Sequence, residues 1–295
     1  MTEARGNAAA QAECGAPGEA ARAFLACPEC HATPLEFNDE AFRCPSCGFR
    51  GARKGGVYLT MDDRSVSYFD ALHGTMTAQK SKEGVNEVFY NKQFAYLGSL
   101  LRPGMAIVDI GCGPAIGYAR PGGTLLIGVD PSYQSIIVNK DLDLRIFGSA
   151  QSLAIATASV DVVVCFYSIH HMIGASVAES RQNVRSAFKE FRRILKPGGR
   201  LVVFEVNPYW IFWLAEQYFW KAARHVLGEA VDFYFWTGPR LEELGRETLG
   251  AASLEQERYS APWNIMFPPA FSIQWLRMPF LLYPFHVARF SWTLS

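Results

Sequence analysis

The residues whose types and spacing could do chemistry fall into two sets: Asp109 with Gly111-Cys112-Gly113 and Asp130, and the cysteines Cys27, Cys30, Cys44 and Cys47. In the first set Asp109 lies two positions ahead of the glycines, and Asp130 follows the second glycine by seventeen residues, closing Leu125-Leu-Ile-Gly-Val-Asp130. Glycine lets backbone approach a ligand with no Cβ in the way, and an acid at a strand tip can accept hydrogen bonds from both ribose hydroxyls of a nucleoside. A dinucleotide fingerprint would need a third small residue where this chain has Ile116. Asp109 would sit badly beside a pyrophosphate but suits a ligand with an ammonium group. In the second set, Cys27-Pro-Glu-Cys30 and Cys44-Pro-Ser-Cys47 are separated by thirteen residues. Two such knuckles can bring four thiolates onto one tetrahedral ion, zinc by default, and four protein ligands leave no coordination place for water, so the site should be structural. His31, beside Cys30, is a substitute ligand or a bystander.

These side chains need elements to hold them. Met105–Ile110 and Leu125–Asp130 read as adjacent buried parallel strands, Pro131-Ser132 starts a helix through Lys140, and Leu144–Phe147 and Asp161–Phe166 are a third and a fourth strand. Tyr167-Ser-Ile-His170-His171 follows the fourth strand at the carboxyl edge, where ligands of open α/β sheets bind. A histidine there could deprotonate an acidic acceptor, because histidine changes charge near neutral pH; it could equally cap the next helix or fill the core. An amphipathic helix from Glu190 ends at Lys196, Pro197-Gly-Gly199 stops it, and a fifth strand runs to Glu205. Ser253–Tyr259 and His286–Leu294 are the last two strands. Between the cysteine knuckles, Pro34–Phe37 and Ala41–Arg43 read as a hairpin turning at Asn38-Asp39.

The pattern Asp109-x-Gly111-x-Gly113 with Asp130, and the helix, Pro-Gly-Gly turn and strand before Glu205, resemble the class I S-adenosylmethionine-dependent methyltransferases. The resemblance runs from about Val85 to Glu205. It implies a doubly wound Rossmann-like α/β fold with a seven-stranded sheet whose last strand is antiparallel, preceded by a small zinc ribbon and completed by an aromatic C-terminal lid. It also implies S-adenosyl-L-methionine as cofactor, with Asp109, Gly111, Cys112 and Gly113 at the methionine moiety, Asp130 at the ribose, Ser149-Ala150 at the adenine edge, and Pro131 and Phe166 also among the cofactor-binding residues. Tyr167, His170 and His171 would face the acceptor. The chain departs from the family where Gly148-Ser149-Ala150 replaces the usual Gly-Asp-Ala, and where Leu153-Ala154-Ile155 replaces Leu-Pro-Phe. A serine hydroxyl or backbone must then take the adenine contact. The ribbon, with Lys54-Gly-Gly-Val-Tyr58-Leu59 after it, resembles the zinc modules ahead of some methyltransferase domains, certain rRNA guanine methyltransferases among them.

At 295 residues, 49% apolar and 19% charged, the chain can hold one large α/β domain and a small module. Its zero formal net charge predicts no long-range attraction to a polyanion. The expected division is a flexible tail (1–23), which lacks the basic start and apolar core of a signal peptide, a zinc ribbon (24–60), a helical cap segment (61–104), the cofactor-binding core (105–206) and an aromatic insertion with the last two strands (207–295). Aromatic runs at Tyr209–Leu214, Tyr218–Trp220 and Phe233–Trp236, and a stretch after Glu257 that has no carboxylate, would form an apolar pocket, a membrane-contacting surface (207–236 and 258–292) or a partner interface. Prolines interrupt every long apolar run, so none reads as a membrane span. The acceptor is expected to be a hydrophobic or lipid-like small molecule, with an RNA guanine base as the alternative and a non-catalytic binding protein as a second. A cytoplasmic location is expected, with or without peripheral contact to a membrane.

Overall fold

The computed structural model describes residues 19–61, 85–227, 233–259 and 285–295. A helical turn α1 (Glu19–Arg22) leads to the hairpin β1 (Glu36–Phe37) and β2 (Ala41–Arg43), then β3 (Arg50–Lys54) and β4 (Val57–Leu59). Helix α2 (Val85–Leu100) precedes β5 (Ala106–Ile110), β6 (Leu125–Asp130), α3 (Tyr133–Val138), β7 (Leu144–Phe147) and β8 (Val160–Phe166). After a 3₁₀ turn at Ile169–His171 come α4 (Val177–Ile194), β9 (Leu195–Pro208), α5 (Trp210–Leu227), α6 (Gly238–Leu249), β10 (Ala252–Tyr259) and β11 (Phe285–Leu294).

Among the described residues all strands belong to one sheet, in the order β1-β2-β3-β4-β7-β6-β5-β8-β9-β11-β10. From β7 to β10 this is the expected seven-stranded doubly wound arrangement: β7, β6, β5, β8 and β9 are parallel, and β11 runs antiparallel between β9 and β10. The sheet reverses its winding between β5 and β8, which opens the crevice where ligands of such folds bind. The observed sheet has eleven strands because the N-terminal hairpins join it, β4 pairing parallel with β7 from Val57↔Arg145 to Leu59↔Phe147. The expectation was a seven-stranded sheet preceded by a small ribbon. The sheet edge explains the difference, since the unpaired N–H and C=O groups of β7 need partners and β4 supplies them.

The central strands are apolar on both faces because both faces are covered, β5 being buried throughout. Helices α4 and α6 and the ribbon residues Leu25, Phe42 and Tyr58 pack on one face; α2 and α3, through Leu97 and Ile136, pack on the other. Helix α4 buries Val184, Ala187, Phe188, Phe191 and Ile194, a stripe at helical spacing, and Ser176 caps it by accepting the Glu179 N–H at 3.1 Å. Neither histidine of the His170-His171 pair serves as that cap. The Pro-Gly-Gly turn bulges out of the pairing between β8 and β9, where Val160↔Leu195 is followed by Val162↔Arg200, and Gly198 takes φ +75. The expectations for residues 1–18, for 62–84 of the cap segment, and for 228–232 and 260–284 lie outside the described residues.

Candidate active site at the strand tips

Three strand ends build the glycine-rich half of the site. Asp109, buried near the end of β5, accepts a hydrogen bond from the Tyr118 hydroxyl at 2.8 Å. Gly111 and Gly113 both have positive φ, +70 and +61. A Cβ on Gly111 would come within 2.7 Å of the Ser168 side chain, whereas a Cβ on Gly113 would meet nothing within 4 Å, so the second glycine faces open space. The Cys112 thiol packs against Gly128 in the core, leaving only backbone for a ligand. Asp130 ends β6 with Oδ2 accepting the Gly113 N–H at 2.8 Å and Oδ1 accepting the Ser132 N–H at 2.7 Å. It thereby ties the glycine loop to the start of α3. Pro131, Ser149 and Ala150 are half-buried beside it in sequence or at the tip of β7, and Ser149 Oγ accepts the Gln151 N–H at 3.2 Å.

Aromatic rings roof this half. Phe166 stacks on Phe204 at 4.5 Å and on Tyr118 at 5.9 Å, and meets the edge of Phe94 from α2. Phe94 also stacks on Tyr90 at 5.5 Å and lies over Gly117, where a Cβ would come within 2.4 Å of its ring. An aromatic enclosure around a buried carboxylate suits a cation, through the negative faces of the rings. The donor set, the open backbone at Gly113 and the acid at the β6 tip fit S-adenosylmethionine.

The other half centres on a buried pair. His170 Nδ1 lies 2.7 Å from Glu205 Oε1, and Glu205, fully buried in β9, also accepts the N–H groups of Ile169, His170 and Val206. A carboxylate acceptor fixes the imidazole tautomer with its proton on Nδ1, which turns the lone pair to Nε2. The His170 ring contacts His171 at 4.2 Å and Phe235 at 5.1 Å between centroids, and its carbonyl accepts the Tyr234 N–H. The Tyr167 hydroxyl exchanges hydrogen bonds of 2.7 and 2.9 Å with the Gln93 amide, and burial holds its pKa well above the usual tyrosine range. Its phenol therefore stays protonated. Tyr118, Gln93 and Glu205 were not singled out as site residues from the sequence. Glu205 carried the clearest signal there, an acid closing an apolar strand.

The four cysteines converge. Their sulfurs lie within 4.8 Å of one another, with Cys27–Cys47 and Cys30–Cys44 each at 3.5 Å. Zinc–sulfur bonds of about 2.3 Å place tetrahedral sulfurs roughly 3.8 Å apart, so the cluster fits one zinc ion. Burial pushes the Cys27 thiol up to about 12; at Cys44 burial acts the same way, but the backbone N–H groups of Cys47 and Ser46 outweigh it and bring the thiol to about 6. His31 stands apart from the cluster, 3.7 Å from Glu190.

Residues 108–203 match the family described as "Methyltransferase domain". Over 110 residues the chain is 29% identical to a demethylmenaquinone methyltransferase of Corynebacterium glutamicum, an alignment covering 36% of this chain and 44% of that protein. The chain thus spans less than half the length of the curated relatives it matches first. Among solved structures, the [4+2]-cyclase SpnF aligns with a TM-score of 0.54 at 15% identity, covering 79% of this chain and 96% of that one. The cyclopropane synthase MmaA2 of Mycobacterium tuberculosis aligns with a TM-score of 0.51 at 15% identity, covering 72% and 86%. Residues 108–203 thus match a methyltransferase domain, and the chain shares the fold of these solved structures.

Proposed function

We propose that this protein transfers a methyl group from S-adenosylmethionine to a hydrophobic, lipid-like small molecule. The observation that carries the reading is the His170–Glu205 pair, set among aromatic rings at the same strand tips as the Asp109 and Asp130 cradle. In this reading Asp109 and the backbone of Gly111 to Gly113 hold the methionine moiety, Asp130 and Pro131 the ribose, and Ser149-Ala150 the adenine edge. Bound S-adenosylmethionine supplies a methyl group made electrophilic by its sulfonium. Phe166, Tyr118 and Phe94 exclude water and present ring faces to that charge, His170 accepts the acceptor's proton at Nε2, and Glu205 stabilises the imidazolium that results. Tyr167, with its proton retained, shapes the wall, and His171 supports His170. Cys27, Cys30, Cys44 and Cys47 hold zinc without touching the chemistry. The division into ribbon, cap segment, core and aromatic insertion follows this assignment of roles.

The names of the relatives support an apolar acceptor, since one is a demethylmenaquinone methyltransferase and another a cyclopropane synthase. So does the basic stripe of α4, which is largely neutralised within the protein. Arg181 and Arg185 pair with Glu247 of α6 and Arg193 with Glu190, and just past the helix Lys196, in β9, pairs with Asp161. Paired cations on a packed helix offer an RNA backbone little counterion release. Helix α5 leaves Trp210, Ile211, Tyr218, Phe219 and Val226 exposed, an apolar surface suited to receiving such an acceptor or to resting on a membrane that contains it. Among the described residues no helix is long and apolar enough to cross a membrane. The test is transfer of tritiated methyl from S-adenosylmethionine into a fractionated cell extract. Label is expected in the organic-solvent fraction; label in RNA, lost at raised salt, would overturn the acceptor class.

A further inference from the structure

The segment between β7 and β8 is where the chain departs most from the family pattern, and it is also where the ribbon docks. From one side, Thr60, immediately after β4, donates to the Phe147 carbonyl twice, from its N–H and its hydroxyl, each at 3.0 Å. Gly148 completes that contact, because a Cβ there would come within 2.4 Å of Thr60 Oγ1. From the other side, the chain entering the first knuckle runs antiparallel to residues 154–156. Ala26 N–H donates to the Ala154 carbonyl at 3.2 Å, Ala156 N–H donates to Phe24 at 2.8 Å, and Leu25 bridges to Ile155. Ser152 Oγ donates at 2.6 Å to the carbonyl of Pro28, which lies inside the knuckle itself.

The two grips belong to different halves of the cysteine cluster. Residues 24–28 are continuous with Cys27 and Cys30, whereas Thr60 is reached from Cys44 and Cys47 through β3 and β4. Between the two arms runs the hairpin β1–β2, and a metal on the four cysteines would tie them together directly at their base. Held between them is Gly148-Ser149-Ala150-Gln151, the stretch assigned above to the adenine edge.

We infer that the ribbon is a clamp on the cofactor loop: a metal ion on the four cysteines draws its two arms together, and the arms hold Phe147–Ala156 in the conformation that receives the adenine of S-adenosylmethionine. This rests on the proposed cofactor, and it makes Thr60 and Ser152 positioning residues. Coupling between two sites through a shared element is reciprocal, so zinc should tighten cofactor binding and the cofactor should tighten zinc by the same factor. A factor on the order of tenfold lies within the usual range for such coupling.

The experiment uses the full chain, zinc-loaded and after chelation, with S-adenosylhomocysteine affinity measured by calorimetry. Zinc affinity is measured separately by competition with a chromophoric chelator, with and without S-adenosylhomocysteine. The expected result is about tenfold weaker cofactor binding without metal and the same factor in zinc retention. Because the stripped ribbon can unfold, Thr60→Val and Ser152→Ala are measured with zinc bound, where each should weaken the cofactor several-fold and leave zinc affinity in the absence of cofactor unchanged. Equal affinities with and without metal, or variants that bind like wild type, overturn the clamp and leave the methyltransferase reading standing. No binding by zinc-loaded wild type overturns that reading, and this inference with it.

Discussion

Along the strand tips, the glycine loop between β5 and β6 is held by backbone and by short side chains, whereas the half between β8 and β11 is held by large side chains brought from far apart. Asp130 reaches the N–H groups of Gly113, seventeen residues back, and of Ser132, two residues on. His170 depends on Glu205, Tyr167 on Gln93 of α2, and Phe235 on Glu216 of α5, which accepts its N–H at 3.0 Å. A half made from local backbone can be the same whatever the acceptor, while a half made from packed rings changes shape with each side chain. That division suits an enzyme whose cofactor is fixed and whose acceptor must be selected.

Removing the proposed base should give the largest effect. His170→Ala is expected to lower kcat about 10²–10⁴-fold, the usual contribution of a general base, with S-adenosylhomocysteine affinity unchanged. A parallel loss of cofactor affinity in the calorimeter would mean that the two halves are not separate.

Glu216 sharpens the comparison by pH. It faces the acceptor half with one backbone partner, and burial raises its carboxyl to about 8 even though the Phe235 N–H lowers it. A carboxyl raised in the folded state favours folding fully below the unfolded value near 4.5, and its contribution is lost as pH rises towards 8. Urea unfolding should therefore show wild type losing up to about 3 kcal/mol between pH 5.5 and 8 relative to Glu216→Gln. Comparing the two proteins cancels His286, which burial lowers to about 4 and which acts in the opposite direction as pH falls below its usual range. Parallel pH profiles for the two proteins would remove the buried acid from the account.

On the cofactor side, Asp130→Ala should weaken S-adenosylmethionine binding by about 1.5–3 kcal/mol, the worth of a charge-assisted hydrogen bond. It also frees the Gly113 and Ser132 N–H groups, so hydrogen exchange should quicken there while the His170 region keeps its protection. Unchanged affinity would sink the ribose assignment.

The sequence alone determined the elements that are uniform along their length. The run Leu125–Asp130 and the run Leu144–Phe147 appear as strands with the expected ends, because strands buried on both faces need continuous apolar residues and little else. Cysteine spacing likewise announced the cluster, since knuckle geometry is local. What tertiary structure decided was long-range pairing. Leu153-Ala154-Ile155 reads as a degraded motif, yet all three residues are buried where the ribbon packs, their carbonyls accept from Ala26 and Arg193, and the Leu153 N–H donates to Glu190. The partnership of His170 with Glu205, 35 residues away, has no signature in either segment. It arises because adjacent parallel strands β8 and β9 bring the turn after one beside the end of the other, and register between strands is set by packing, which no local spacing records.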